Sequence, residues 1–310
     1  MSDDNLKQRN LKILAVSYSQ TGQLDKVMQT FLAPFAGLEV DRIQIETDPR
    51  FPFPWPTDDF FDAMPETVLE IPVKLEPIRF REEKYDLVVL AYQPWFLSPS
   101  LPITSLLQHP EFLRRLKDTP VVTLSAGRNM WLNAQESIRK RIREAGGRLV
   151  ANIPLVDRNP NLVSVVTIIH WLIGGKKDRK WGIFPMPGVS EEDIAFGETY
   201  GRDVRDALEK SEWKGLQPRL LSYGKIGVPT DILFIEERAK RLFLIWATLI
   251  RKRGNTPSRR RRWVSAFKYY LLTALFVVSP ILLSGYYILV WPFTRKQLLK
   301  KKQYFCGVEE

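Results

Sequence analysis

Cysteine and histidine are almost missing from this chain, whose 310 residues include one cysteine, Cys306, and two histidines, His109 and His170. A lone cysteine cannot close an intrachain disulfide, which fits a reducing compartment. So few ligands also argue against a structural zinc site. Two glycine signatures are missing as well. No Gly-x-Gly-x-x-Gly follows a strand and no Gly-Lys-Ser/Thr loop is present, so the dinucleotide and P-loop fingerprints are excluded. The N-terminus, MSDDNLKQRN, is polar and leads directly into an apolar strand, so no signal peptide is expected.

Positive charge is also missing from most of the chain, although the net charge is +11. Residues 238–310 carry 16 Lys/Arg against Glu309 and Glu310, while residues 1–237 carry 30 against 33 acidic residues. The body is therefore near neutral, which argues against a nucleic-acid surface and directs the basic character to the tail.

That tail reads as a membrane anchor. Tyr269 to Thr294 is a run of 26 residues without a charge, long enough to cross about 30 Å of hydrocarbon. Tyr269, Tyr270 and Trp291 suit an interfacial aromatic belt. Arg251, Lys252, Arg253 and Arg259 to Arg262 precede the run and suit anionic lipid. Pro280, Ser284 and Gly285 leave spanning and re-entry both open, and the basic far flank biases the orientation only weakly toward an N-terminal side in the cytoplasm. The short apolar stretch Leu242 to Ile250 reads as an in-plane helix. The expected location is the cytoplasmic membrane, with the body facing the cytoplasm.

The body alternates strand and helix. Leu11 to Val16, Leu38 to Ile45, Leu87 to Ala91, Val121 to Leu124 and Leu149 to Val156 read as strands. Helices are expected from about Leu24, over Ile103 to Leu116, Trp131 to Ala145 and Leu162 to Ile173, and from Ser190 to about Lys210. Five strands with intervening helices predict an α/β, doubly wound five-stranded parallel sheet with right-handed crossovers. The expected division is a body at 1–175, a helical extension at 176–237 and an anchor tail at 238–310. Between the second and third strands lies an insertion, 47–85, with seven prolines and Phe51, Phe53, Trp55, Phe60 and Phe61. It reads as a long loop without secondary structure, either an aromatic lid over an apolar substrate or a packed belt or homodimer contact.

Ligands of such sheets sit at the carboxyl ends of the strands. The first of three loops there, Ser19-Gln20-Thr21-Gly22-Gln23, places hydroxyls and free N–H groups at a helix N-terminus, a phosphate cradle or an ordinary turn. The second contains Tyr92, Gln93, Pro94, Trp95 and Phe96, and the third Ser125, Gly127, Arg128 and Asn129. Aromatic faces plus backbone polar groups suit a planar isoalloxazine, though Trp95, Phe96 and Trp131 could equally pack a core rim. The first loop resembles the FMN-phosphate loop of flavodoxins, which makes the fold flavodoxin-like and FMN the expected cofactor. Leu24 departs from that pattern, since Thr or Ser often stands there.

Longer segments carry a closer resemblance. FPFPWPTDDFFDAMPETVLEIP (Phe51 to Pro72), SAGRNMWLNAQE (Ser125 to Glu136), LVDRNPNLVSVVTIIHWL (Leu155 to Leu172) and WGIFPMPGVSEEDI (Trp181 to Ile194) resemble the bacterial dialkylresorcinol condensing enzyme family, encoded beside aryl-polyene and flexirubin-type pathways. The resemblance implies a flavodoxin-like enzyme that converts a lipophilic dialkyl cyclohexanedione, made by a partner ketosynthase, to a resorcinol. Thioester condensation needs an activated thiolate, and Cys306 lies beyond the apolar run. Aromatisation is instead a two-electron oxidation that a flavin can carry. Tyr92 is the candidate catalytic base, His170 reads as a core histidine and His109 as a surface one. Asp157 and Arg158 could pair with each other or bind ligand. A membrane-bound NAD(P)H:quinone reductase and a non-enzymatic electron carrier or ketosynthase scaffold are the alternative functions.

Overall fold

The computed structural model describes residues 10–228, 230–281 and 291–308. Its centre is a five-stranded parallel sheet in the order β2-β1-β3-β6-β7, built from β1 (Lys12–Ser17), β2 (Glu39–Gln44), β3 (Leu87–Tyr92), β6 (Pro120–Gly127) and β7 (Arg148–Val156). The spacing of apolar runs predicts the five parallel strands, and their order is the flavodoxin-like one that the first loop's resemblance implies, with the switch point between β1 and β3. β1 and β3 are buried almost throughout because helices cover both faces of the sheet.

One face is closed by α1 (Gln23–Leu32), α8 (Glu191–Lys210) and α9 (Leu216–Ser222), whose Phe31, Tyr200 and Leu220 join the core. Ser190 starts α8 by accepting the Asp193 N–H at 3.1 Å, a normal N-cap. Gly197 and Gly201 let α8 approach α1, and a Cβ on Gly201 would lie 2.0 Å from the Phe31 carbonyl oxygen. The other face carries α4 (Leu101–Leu106), α5 (Pro110–Leu116) and α6 (Leu132–Glu144). The single helix expected over Ile103 to Leu116 is thus two, because Pro110 cannot continue a helix and instead opens α5.

The insertion is not structureless. It forms α2 (Thr57–Asp62) and α3 (Met64–Val68), the latter with proline in its first turn. Its far end is tied to β2, where the Tyr85 hydroxyl donates to Asp41 at 2.6 Å. After β3 a two-stranded ribbon, β4 (Pro94–Trp95) with β5 (Ser98–Pro99), reverses the chain.

Past α7 (Asn161–Gly174) and α8, the tail packs on the body. α10 (Thr230–Arg253) buries Phe243, Ala247 and Ile250 against Phe61, Met64 and Val68, so the stretch expected in the membrane plane has one face inside the protein. α11 (Pro257–Thr273) continues through a π-helical turn at Ala274–Val278. The helix from Pro257 to Ile281 is long and apolar enough to cross a membrane, and only 11% of its most apolar window is buried. The expected lipid-facing basic cluster is smaller than the sequence suggests. Arg260 binds Asp62 at 2.6 Å and Glu66 at 2.7 Å, and Arg251 reaches Glu66 at 3.1 Å. Of the uncharged run 269–294, residues 282–290 lie outside the described residues, including Ser284 and Gly285. The last helix, α12 (Trp291–Cys306), ends on the body, where Gln217 donates to the Cys306 carbonyl at 2.7 Å.

Candidate functional site

A cavity of about 370 Å³ opens at the carboxyl ends of β1, β3 and β6. Gln20, Thr21 and Gln23 approach it from the first loop, Gln93 to Leu97 from the second, and Gly127, Arg128 and Met130 from the third. Helix α7 adds Val165, Ile168 and Leu172. The far wall belongs to the tail, with Phe243 from α10 and Leu271, Leu275 and Val278 beyond it. The three predicted loops therefore converge, and the segment predicted to be an anchor also forms part of the site.

The first loop fits a phosphate. Gly22 stands at φ 77 with nothing within 4 Å of where a Cβ would be, so the loop reaches α1 in a left-handed turn that glycine adopts without strain. Ser19 Oγ is buried and has no hydrogen-bond partner in the protein, but Ser19 is not among the lining residues of this cavity and faces a neighbouring pocket shared with Asp25, Glu46 and Arg50. The N–H groups at the start of α1 face the same loop. Thr21 lines the cavity, whereas the two glutamines of the loop also make structural bonds. Gln20 is fixed by two bonds, its N–H donating to Gln93 Oε1 at 2.9 Å and its Nε2 to the Pro52 carbonyl at 2.7 Å. Gln23 exchanges two bonds of 3.0 Å with the Val189 backbone, so its side chain fastens the chain before α8. Leu24 is fully buried in the core.

In the second loop Phe96 and Leu97 take φ values of 46° and 62°, both in the left-handed region. Consecutive positive φ at the centre of a two-residue hairpin is the type I′ pattern, normally served by Asn-Gly. Bulky residues there store backbone strain of about 1–3 kcal/mol each. Both side chains line the cavity. Trp95 meets Tyr18, Phe51 and Trp55 at 5.9, 5.2 and 5.5 Å between ring centroids, and Phe60 meets Phe96 at 5.0 Å. The insertion's aromatics are thus packed onto the ribbon, and Phe60 and Phe61 line the cavity.

The third loop supplies charge. Arg128 lines the cavity, with Nε donating to Ser164 Oγ at 3.3 Å and Nη2 to the Asn161 carbonyl at 3.1 Å. Burial lowers its pKa to about 10, opposed by nearby Asp157, so the guanidinium stays cationic at neutral pH. Gly127 also lines the cavity, and a Cβ there would press on Pro94 at 3.3 Å. Asn129 Oδ1 is a second buried oxygen without a partner in the protein. Ser125 is buried beneath the loop and is not among the lining residues.

Four sequence expectations change. Tyr92 is fully buried and outside the cavity lining, and its hydroxyl donates to Gln135 Oε1 at 2.9 Å. Burial also pushes its phenol well above the ordinary range, so Tyr92 is a core residue without the access a base needs. Asp157 and Arg158 do not pair with each other. Asp157 accepts from Ser164 at 2.8 Å, whereas Arg158 pairs with Asp193 at 2.8 Å. His170 is not a core histidine, since it bonds exposed Asp178 at 2.7 Å. His109 precedes Pro110 at the start of α5 and is partly buried.

The residues that sequence reasoning missed are apolar. Val165, Ile168 and Leu172 belong to a helix with no charged residue, more apolar than one buried face requires, and that excess was the available signal. Cys306 is buried away from the cavity, and burial raises its thiol pKa.

No family model and no curated protein matches this chain. Solved structures similar to it include a flavoprotein from Lactobacillus acidophilus in complex with FMN, at 14% identity over 46% of this chain and 92% of that one, TM-score 0.37. A flavodoxin from the domain Archaea is similar at 11% identity over 64% of this chain and 99% of that one, TM-score 0.36. A flavone reductase is similar at 15% identity over 65% of this chain and 64% of that one, TM-score 0.35.

Proposed function

We propose that the chain is an FMN-dependent oxidoreductase that aromatises a lipophilic dialkyl cyclohexanedione to a resorcinol, the role implied by its resemblance to dialkylresorcinol condensing enzymes. The observation that carries this reading is the continuity of one cavity from the β-strand loops to the apolar tail. A cofactor phosphate fits Thr21, Gly22 and the α1 N-terminus, and its ring fits the space edged by Trp95, Phe96 and Gly127. When bound, FMN supplies acceptance of a hydride.

The protein's own share is orientation and charge. Phe61, Val165, Phe243 and Leu275 provide an apolar bed for the alkyl substituents, with about 0.8 kcal/mol for each methylene taken from water. Arg128 places a positive charge in a mostly apolar lining that also includes Arg238 and Gln93, where it favours the enolate of a dione over the neutral ketone. Enolisation removes a proton from the outer ring carbon beside one carbonyl, a hydride leaves the next, β, carbon to the bound flavin to give the ring enedione, and tautomerisation of that enedione completes the resorcinol. Burial of Cys306 supports oxidation over thioester condensation. Resorcinol formation from a dialkyl cyclohexanedione should require FMN and survive Cys306→Ala. Loss of turnover in that variant would overturn the reading.

A further inference from the structure

Three features outside the cofactor loops point the same way. The chain between α7 and α8 exposes Trp181 by 76%, Ile183 by 78% and Met186 by 47%. Trp181 is held at φ 54, and Lys176, Arg179 and Lys180 lie beside it in sequence. Such an apolar tip with a basic rim matches an anionic lipid surface in both hydropathy and charge.

The second feature is on the tail. Ile245 of α10 is 63% exposed, and Phe276, Val277, Val278 and Ile281 are exposed at the end of the long apolar helix. Leu172 and Gly188, on either side of the Trp181 loop, line the same cavity as Leu275 and Val278. The two apolar surfaces therefore flank one opening.

The third is connectivity. Lys268 pairs with Asp58 of the insertion at 3.7 Å just before the uncharged run. After it, Lys301 pairs with Glu237 at 2.5 Å, and the Tyr304 hydroxyl donates to Glu136 at 2.9 Å. Both flanks rest on the same body. From Tyr269 to Ile281 the helix rises about 20 Å, beyond the middle of a hydrocarbon core of about 30 Å but short of its far side.

We propose that the protein is monotopic, seated on one leaflet of an anionic bilayer by two elements, the apolar end of the α11 helix and the Trp181–Met186 loop, with the cavity opening between them. Neither flank of the uncharged run crosses to the other side. This seat is independent of the FMN reading, because the surfaces that carry it lie outside the cofactor loops.

The test uses the full chain with Cys306→Ser and one new cysteine at a time, on vesicles of phosphatidylcholine with phosphatidylglycerol in equal parts. A polarity-sensitive dye on Ile183→Cys should shift to the blue and be quenched by spin-labelled lipid. An aqueous spectrum quenched by iodide while the protein is vesicle-bound would overturn the second element and leave the loop for a protein partner. With Arg262→Cys and Lys300→Cys, a membrane-impermeant maleimide added outside should label both sites equally. Protection of one site until detergent is added would establish a spanning tail and overturn the monotopic seat. Failure of the full chain to bind these vesicles would overturn both.

Discussion

Glu236, in the α10 helix that leads into the tail, accepts the backbone N–H of Asn133 at 2.7 Å, so a buried carboxyl group from α10 caps the helix that follows the Arg128 loop. The Asn133 amide also donates to the same oxygen at 3.0 Å. Glu236 Oε2 is buried without a partner, and burial raises the carboxyl pKa to about 7 despite the Asn133 and Leu132 N–H groups. The tail is thereby tied to one of the loops that shape the cavity.

This raised pKa makes tail docking pH-dependent. The folded state holds a proton that the unfolded chain releases near pH 4.5. The stabilisation linked to that proton is full below this value and is lost as the pH rises through about 7. Glu236→Gln keeps the Oε1 acceptor and removes the titration. Its stability relative to the parent should therefore grow between pH 5 and 8, by up to about 3 kcal/mol. Denaturation of both proteins at the two pH values checks this, and a pH-independent difference would contradict it.

The contact between Gly201 and Phe31 predicts a sharp contrast within α8. Gly201→Ala should destabilise by about 1–3 kcal/mol through overpacking, although alanine ordinarily favours a helix by about 1 kcal/mol over glycine. Gly197→Ala should be tolerated, since its Cβ would meet nothing closer than 3.9 Å. Chemical denaturation midpoints distinguish the two.

Flavin binding should depend on the first loop without the sheet depending on it. Thr21→Glu with Gly22→Asp should abolish binding while circular dichroism stays unchanged. Undiminished FMN affinity in the double variant would remove the phosphate from this loop.

The tail wall should select for chain length. Leu275→Trp narrows the cavity at the π-helical turn and leaves the strand loops untouched. Turnover of a short-chain dione should persist, while turnover of a long-chain one should fall by about tenfold or more for each pair of methylenes excluded. Equal losses on both substrates would show that this wall does not meet the alkyl chain.

The sheet was legible because β1, β3, β6 and β7 are buried apolar runs, and burial on both faces leaves an unmistakable pattern. The three site loops were legible for the same reason, since strand ends locate them. Tyr92 was misread because strand alternation does not say which end residue faces a cavity, and here Gln135 holds the phenol in the core. The ribbon turn at Phe96-Leu97 was invisible, since it uses neither Asn nor Gly. Least legible was the tail. Charge and hydropathy separate it from the body, whereas the contacts that join them, Glu236 to Asn133 and Arg260 to Glu66, connect residues about a hundred or more positions apart.

The central claim is that a flavin in this cavity takes a hydride from an apolar dione. Anaerobic mixing of the FMN-loaded full chain with a dialkyl cyclohexanedione tests it most directly. The account predicts bleaching of the blue flavin absorbance with one resorcinol formed per flavin. A chain that binds FMN but leaves the dione unchanged, with its flavin fully oxidised, would contradict it.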